Sequence, residues 1–70
     1  MVWHKGGYLI KALREQKGIS QTELAKSIGV GQTHISEMER NQKTPSTAVL
    51  KKLADLLGFT MDEYFEGRKF

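Results

Sequence analysis

Gly29 separates two short apolar patterns, and this arrangement constrains the fold of the chain more than any other feature of the sequence. Leu24 and Ile28 are four residues apart, which places them on one side of a helix that ends at the glycine. A helix often ends in a left-handed backbone conformation, which glycine adopts without steric cost. Beyond the glycine, Ile35 and Met38 are three residues apart and face back toward the first pair. The pattern predicts a helix-turn-helix.

Capping residues predict where the other helices begin. Ser20 and Glu23 have the spacing of a capping box, in which each side chain bonds the backbone N–H of the other residue. Thr60 and Glu63 repeat this spacing, and Ser46 is a good N-cap between the two boxes. The predicted helices cover residues 8–17, 21–28, 32–40, 47–57 and 61–65.

Apolar residues recur at helical spacing in these segments, which predicts one core shared by all of them. The first helix contributes Ile10 and Leu13 to it, and the fourth contributes Leu50, Leu53, Ala54 and Leu57. The fold class is therefore all-α, a compact bundle of five short helices around a central helix-turn-helix. Residues 1–7 show no periodicity and are predicted to form a flexible arm, with the domain over residues 8–66 and a frayed tail over residues 67–70.

Length and composition narrow the possible functions. Seventy residues allow one domain, and the absence of cysteine excludes disulfides and thiolate metal sites. No apolar run approaches the roughly 20 residues of a membrane span, and no signal-peptide layout is present, so we expect a cytoplasmic location. The net charge is +3, and this excess lies in residues 1–20, outside the helix-turn-helix. Charge alone therefore fits an ordinary soluble surface as well as a nucleic-acid partner.

The central segment resembles the helix-turn-helix of the Cro and phage-repressor (XRE-like) DNA-binding proteins. The resemblance extends over roughly residues 8–65. It implies a sequence-specific double-stranded DNA-binding domain, a transcriptional regulator and more often a repressor than an activator, which reads a palindromic operator through the major groove. It implies no cofactor, metal or small-molecule ligand. The matching segments are SQTELA at residues 20–25, IGVGQ at 28–32, the anchors Ile35 and Met38 with Glu39, TPS at 44–46 and L..LA..LG at 50–58.

The third helix presents a polar face opposite its apolar anchors, and the resemblance implies that this face reads base edges. Glutamine pairs with adenine, serine and threonine bond several bases, and glutamate accepts from cytosine N4. Any exposed helix carries polar residues, but the Gly29 turn and the resemblance favour base reading. Glu37 departs from the family, because its anion on this face repels phosphate unless it meets cytosine N4 or pairs with Arg40. The predicted base-reading residues are Gln32, Thr33, Ser36, Glu37 and Arg40.

Groups that flank the two central helices are expected to contact phosphates. The N-terminus of the second helix offers unpaired backbone N–H groups, which attract anions. In the related repressors a glutamine at the position of Gln21 touches a phosphate and holds the glutamine at the position of Gln32. His34 fits a phosphate contact and a surface residue without a role equally well. The predicted phosphate-binding residues are Gln21, Thr22, Asn41, Lys43 and Thr44.

Two further assignments follow from the resemblance. Arg14 and Glu39 correspond to a buried structural ion pair that joins the first and third helices of the family. Relatives pair through their last helices, which implies a homodimer. The predicted dimer interface consists of Val49, Leu56, Phe59, Tyr64 and Phe65. The alternative is that Phe59 and Phe65 belong to the core, because the domain has few apolar residues. Where the family often has an apolar residue the chain has Gly6, and Trp3 is expected to fill that space.

Two other classes of function compete with DNA binding. An enzyme is disfavoured, because His4 and His34 lie on unrelated segments without a carboxylate at ligand spacing, and no glycine-rich phosphate loop follows a strand. The alternative is a protein-interaction or antitoxin-type helix-turn-helix module, which the low charge of the central segment would suit. Salt dependence distinguishes this module from a DNA-binding domain, because only the latter releases counterions from phosphates.

Overall fold

The computed structural model describes residues 6–66, and for Glu66 it describes the backbone alone. The described chain forms five α-helices, which confirms the predicted all-α bundle. The predicted tail, most of the predicted arm and Trp3 lie outside the described residues. The helices are α1 (Gly6–Gln16), α2 (Gln21–Ile28), α3 (Gln32–Glu39), α4 (Thr47–Leu57) and α5 (Met61–Glu66). None of them is long and apolar enough to cross a membrane, as far as residues 6–66 are concerned.

The first helix begins earlier than predicted, because Gly6 and Gly7 belong to α1 and are buried. Assigning these two residues to a flexible arm was therefore wrong. A Cβ atom on Gly7 would lie 2.7 Å from the carbonyl oxygen of Glu39 and 2.9 Å from Oδ1 of Asn41. The N-terminus of α1 thus packs directly on the end of α3, at a distance that only glycine permits.

The local signals for helix ends are confirmed. Gly29 has φ 78° and Gly58 has φ 81°, so both glycines end their helices in the left-handed region. In the first capping box, the Glu23 N–H donates to Ser20 Oγ at 3.0 Å, and the Ser20 N–H donates to Glu23 Oε1 at 2.8 Å. The Thr60 box at the start of α5 repeats both bonds.

The first capping box makes a pH-dependent contribution to stability. The backbone N–H of Ser20, and then its side chain, lower the pKa of Glu23 below its usual value. Because the folded-state pKa is lowered, this contribution is complete above the unfolded pKa of about 4.3 and is lost as the pH falls through the folded pKa. We expect Glu23→Gln, which keeps a capping side chain without a titrating group, to lose less stability than the parent chain between about pH 5 and pH 3. Urea unfolding of both proteins across this pH range tests the expectation. An equal fall in the free energy of unfolding of the two proteins would contradict it.

The core is built from all the helices, as predicted. Ile10 of α1, Leu24 of α2, Ile35 and Met38 of α3 and Leu53 of α4 are fully buried. Leu9 joins them in the core, although only Ile10 and Leu13 were predicted for α1, and Leu13 is half-buried. Because this core spans the α2–α3 pair, it holds the angle between those two helices.

The predicted dimer interface is wrong for two of its members. Phe59 and Tyr64 are core residues, with 6% and 7% of their surfaces exposed and ring centroids 6.3 Å apart. The Tyr64 ring lies against Gly6, where a Cβ atom would be 2.5 Å from Tyr64 Cδ1. Tyr64 therefore fills the space that was assigned to Trp3, and its burial raises the pKa of its phenol.

Candidate nucleic-acid interface

A tight turn over Gly29 sets α3 against α2. The backbone N–H groups of Gly29 and Val30 both donate to the carbonyl oxygen of Ala25, at 2.9 and 3.0 Å. Ala25 is itself buried, and its small side chain allows the two helices to lie close together. Ile35 and Met38 anchor the inner side of α3 with no exposed surface. The outer side of α3 is consequently held in one orientation by its neighbours.

The five predicted base-reading residues do not share the same exposure. Gln32, Thr33 and Arg40 are exposed, whereas Ser36 and Glu37 are half-buried. Glu37 forms no ion pair with Arg40 within the described residues. Its carboxylate is thus not neutralised by that arginine, while the backbone carbonyl of Glu37 accepts from the Gln42 N–H at 2.8 Å.

The predicted ion pair is present and buried. Arg14 Nε donates to Glu39 Oε2 at 2.6 Å, and Arg14 Nη2 donates to Glu39 Oε1 at 3.3 Å. A third arginine nitrogen, Nη1, donates to the carbonyl oxygen of Ile19 at 2.8 Å, which ties the α1–α2 junction to the same pair. The hydrogen bond to Glu39 is the main cause that raises the pKa of Arg14, while burial acts in the opposite direction.

Two glutamines connect this ion pair to the surface of α3. Gln21 Nε2 donates to Glu39 Oε1 at 2.9 Å, and Gln32 Nε2 donates to Gln21 Oε1 at 2.7 Å. We call Arg14, Glu39, Gln21 and Gln32 the glutamine relay. The family resemblance implied an association of Gln21 with Gln32 and of Arg14 with Glu39, but as two separate pairs. The bond from Gln21 to Glu39 joins them, and no spacing in the sequence indicated it.

The predicted phosphate-binding residues lie at both ends of the helix-turn-helix. Thr22 is exposed at the start of α2, and Lys43 and Thr44 are exposed in the loop after α3. Gln21 is half-buried by the relay. Asn41 has a second role that was not predicted: its Oδ1 accepts from the Gly7 N–H at 3.0 Å, and its backbone takes a left-handed φ of 59°. Asparagine after a helix often adopts this conformation, but a partner 34 residues away cannot be read from local sequence.

The remaining members of the predicted dimer interface differ in exposure. Leu56 is 40% exposed and Phe65 is 69% exposed, whereas Val49 is half-buried against the core. His34 is half-buried on the flank of α3. Of the residues assigned to dimerisation, Leu56 and Phe65 therefore offer most of the apolar surface.

The fold and the packing of α3 on α2 define a helix-turn-helix domain of the phage-repressor type, as the resemblance implied. The family model for helix-turn-helix proteins matches residues 10–64, most of the chain. The chain belongs to this family, which consists of DNA-binding regulators rather than enzymes.

Curated relatives come from a phage and from bacteria. The chain is 38% identical over 58 residues to the ImmF control region 10 kDa protein of Bacillus phage phi105, covering 83% of this chain and 64% of that protein. It is 42% identical over 52 residues to the transcriptional regulator SinR of Bacillus subtilis, covering 73% of this chain and 47% of SinR. The chain thus spans less than two thirds of the length of either relative.

Solved structures of a phage repressor and of a bacterial DNA-binding domain have the same fold. The P22 c2 repressor in complex with a synthetic operator matches with a TM-score of 0.86 and 31% identity, covering 93% of this chain and 98% of that chain. The N-terminal DNA-binding domain of SinR from Bacillus subtilis matches with a TM-score of 0.75 and 35% identity, covering 84% of this chain and 87% of that chain.

Proposed function

We propose that this domain binds double-stranded DNA in a sequence-specific manner and regulates transcription, with α3 as the recognition helix. The observation that carries the proposal is the rigid placement of α3: its apolar side is fully buried, while Gln32, Thr33 and Arg40 are exposed on its outer side. A major groove about 12 Å wide accepts a helix presented in this way. The operator complex of the P22 c2 repressor, a structural neighbour, supports the same partner for this chain.

We assign base reading and phosphate binding to different residues according to where each residue lies on the helix-turn-helix. We assign base reading to Gln32, Thr33, Ser36, Glu37 and Arg40. Ser36 and Glu37 are half-buried and therefore offer less surface to the DNA than the other three. Phosphate binding falls to the ends of the motif, where N–H groups at the start of α2 have no partner within the helix. The residues assigned to it are Gln21, Thr22, Asn41, Lys43 and Thr44.

We further propose a repressor that acts as a homodimer in the cytoplasm, where the DNA of a bacterium or phage lies. A single small module buries only about 600–1,000 Å² on DNA, so two copies on a two-fold operator would bind far more tightly. The exposed Leu56 and Phe65 are the residues that we assign to the dimer contact. The two recognition helices would then lie about 34 Å apart.

Selection from random duplexes, followed by titration of the selected duplex against salt, tests the proposed function. A DNA-binding domain gives a logarithmic salt slope of about −0.9 for each phosphate neutralised. We expect Lys43→Ala to weaken binding to all duplexes about equally and to flatten this slope by about one unit per bound domain. A palindromic selected site would support the dimer. A domain that selects no duplex, or whose binding does not respond to salt, would instead be a protein-interaction module.

Removing the side chain at the start of α3 should change specificity at one position. We expect Gln32→Ala to cost about 1–3 kcal/mol on the selected duplex and to relax the preference at a single base pair. Binding of the variant to every single-base variant of the site measures this change. Thr22→Ala is the matched control, because its side chain is exposed at the start of α2 and is assigned to phosphate. An unchanged base profile in Gln32→Ala would remove Gln32 from the base-reading residues.

A further inference from the structure

The hydrogen bonds of the glutamine relay have a direction that begins at its buried end. Glu39, whose side chain is 2% exposed, receives hydrogen bonds from Arg14 on both carboxylate oxygens. A carboxylate in an ion pair accepts hydrogen bonds and donates none. Gln21 can therefore bond Glu39 only through its NH₂ group, as it does at 2.9 Å. This bond turns the Gln21 carbonyl oxygen toward Gln32, which must donate in its turn.

The relay leaves a defined set of free groups at the exposed end. The Gln32 amide has two N–H groups, and one of them is used by Gln21 Oε1 at 2.7 Å. One N–H group and the carbonyl oxygen of Gln32 stay available to a partner. Adenine presents an acceptor, N7, next to a donor, N6–H, and so matches one donor and one acceptor. Guanine presents two acceptors, N7 and O6, and would require two donors.

We propose that the buried Arg14–Glu39 pair sets the donor and acceptor polarity of Gln32 and thereby makes the domain select adenine over guanine at one base pair. The inference rests on the proposed function, in which α3 enters the major groove. Glu39 is a positioning residue in this scheme, since it acts through Gln21 and does not touch DNA. Without the relay, both N–H groups of Gln32 are free and its amide can turn toward guanine, so the discrimination is lost.

The test compares adenine and guanine at the base pair that Gln32→Ala ceases to read in the selected duplex. We expect the parent domain to prefer adenine there by roughly 10- to 100-fold. Gln21→Met interrupts the relay and leaves the ion pair in place, and we expect the ratio of the two dissociation constants to fall to within about 3-fold. The ratio is the proper readout, because loss of a phosphate contact by Gln21 weakens both duplexes equally.

Two variants of the ion pair distinguish an effect on the donor and acceptor polarity of Gln32 from an effect on the stability of the domain. Glu39→Gln replaces an obligate acceptor by an amide that can turn either way, and it should reduce the adenine preference as Gln21→Met does. Arg14→Lys keeps a cation beside Glu39 and leaves the carboxylate as an acceptor, so it should keep the preference even if it lowers the unfolding midpoint. Circular dichroism checks that each variant is folded. If Glu39→Gln does not fold, the ratio of the adenine and guanine dissociation constants in Gln21→Met is the deciding result.

The outcomes distinguish this inference from the proposed function. An unchanged adenine preference in Gln21→Met overturns the inference alone, as does an equal loss of preference in Arg14→Lys. If the parent domain binds its site but prefers guanine, or prefers neither purine, the inference is overturned and the proposed function stands. A parent domain that binds no duplex overturns the proposed function and the inference with it.

Discussion

Arg14→Met is expected to lower the free energy of unfolding by about 3–5 kcal/mol, because it leaves the Glu39 carboxylate buried without its cation. The side chains of the pair are 11% and 2% exposed, so water cannot replace the lost partner. Three hydrogen bonds from the guanidinium, two to Glu39 and one to the Ile19 carbonyl oxygen, disappear together. Urea unfolding at neutral pH, with midpoint and slope both measured, gives the change in free energy.

Two companion variants show whether the stranded charge is the cause. The double variant Arg14→Met/Glu39→Met removes both charges, and we expect it to recover a large part of the loss, since apolar replacements of buried pairs are often neutral. Glu15→Gln removes the other carboxylate near Arg14. The Glu15 side chain is 58% exposed and its Oε2 lies 3.9 Å from Arg14 Nη2, so this variant should change stability by less than about 0.5 kcal/mol. A loss below about 1 kcal/mol in Arg14→Met would contradict the assignment of this pair as a buried one.

Gly7→Ala should destabilise the domain by about 1–3 kcal/mol, although the same change in an exposed helix stabilises it by roughly 0.5–1 kcal/mol. The added methyl group would meet the carbonyl oxygens of Met38 and Glu39, and Oδ1 of Asn41. Two of these three atoms are backbone, so the contact can be relieved only by moving α1 away from the end of α3. Such a movement would also strain the bond from the Gly7 N–H to Asn41.

Gly31→Ser is the control for Gly7→Ala. A Cβ atom at Gly31 meets nothing within 4 Å, and its φ of −79° suits any residue. Gly31 is also the N-cap of α3 and supplies no side-chain bond, so serine should keep stability or raise it by a few tenths of a kcal/mol, about the size of a glycine-to-serine cap effect. Equal stability of Gly7→Ala and the parent chain would show that α1 does not pack as closely on α3 as described.

Helix ends were predictable because their causes are local. A capping box needs two residues three positions apart, and a left-handed helix end needs a glycine, so Ser20 with Glu23 and Gly29 could be identified from short segments alone. The apolar anchors of α3 were predictable for the same reason, since one helix period separates Ile35 from Met38. The family resemblance then supplied the Arg14–Glu39 pair, which lies beyond the reach of any local pattern.

Gly6 and Gly7 show where local reasoning failed. Two adjacent glycines have no side chains to form an apolar pattern and are poor helix formers, so the sequence indicated a flexible arm. In the folded chain, their missing side chains make room for the Tyr64 ring and for the end of α3. The same contact explains why Tyr64 is in the core and not on a dimer surface.

The sequence by itself determined five helix-forming segments, the turn at Gly29 and the polar face of the helix after it, because hydrophobic period, capping and left-handed glycine act within a few residues. The tertiary structure decided which of these groups meet. Only the packed chain brings Gly7 to Asn41, Gly6 to Tyr64, and Gln21 to Glu39. Each of these contacts joins segments that are distant in sequence, so their separation depends on the packing of the whole core.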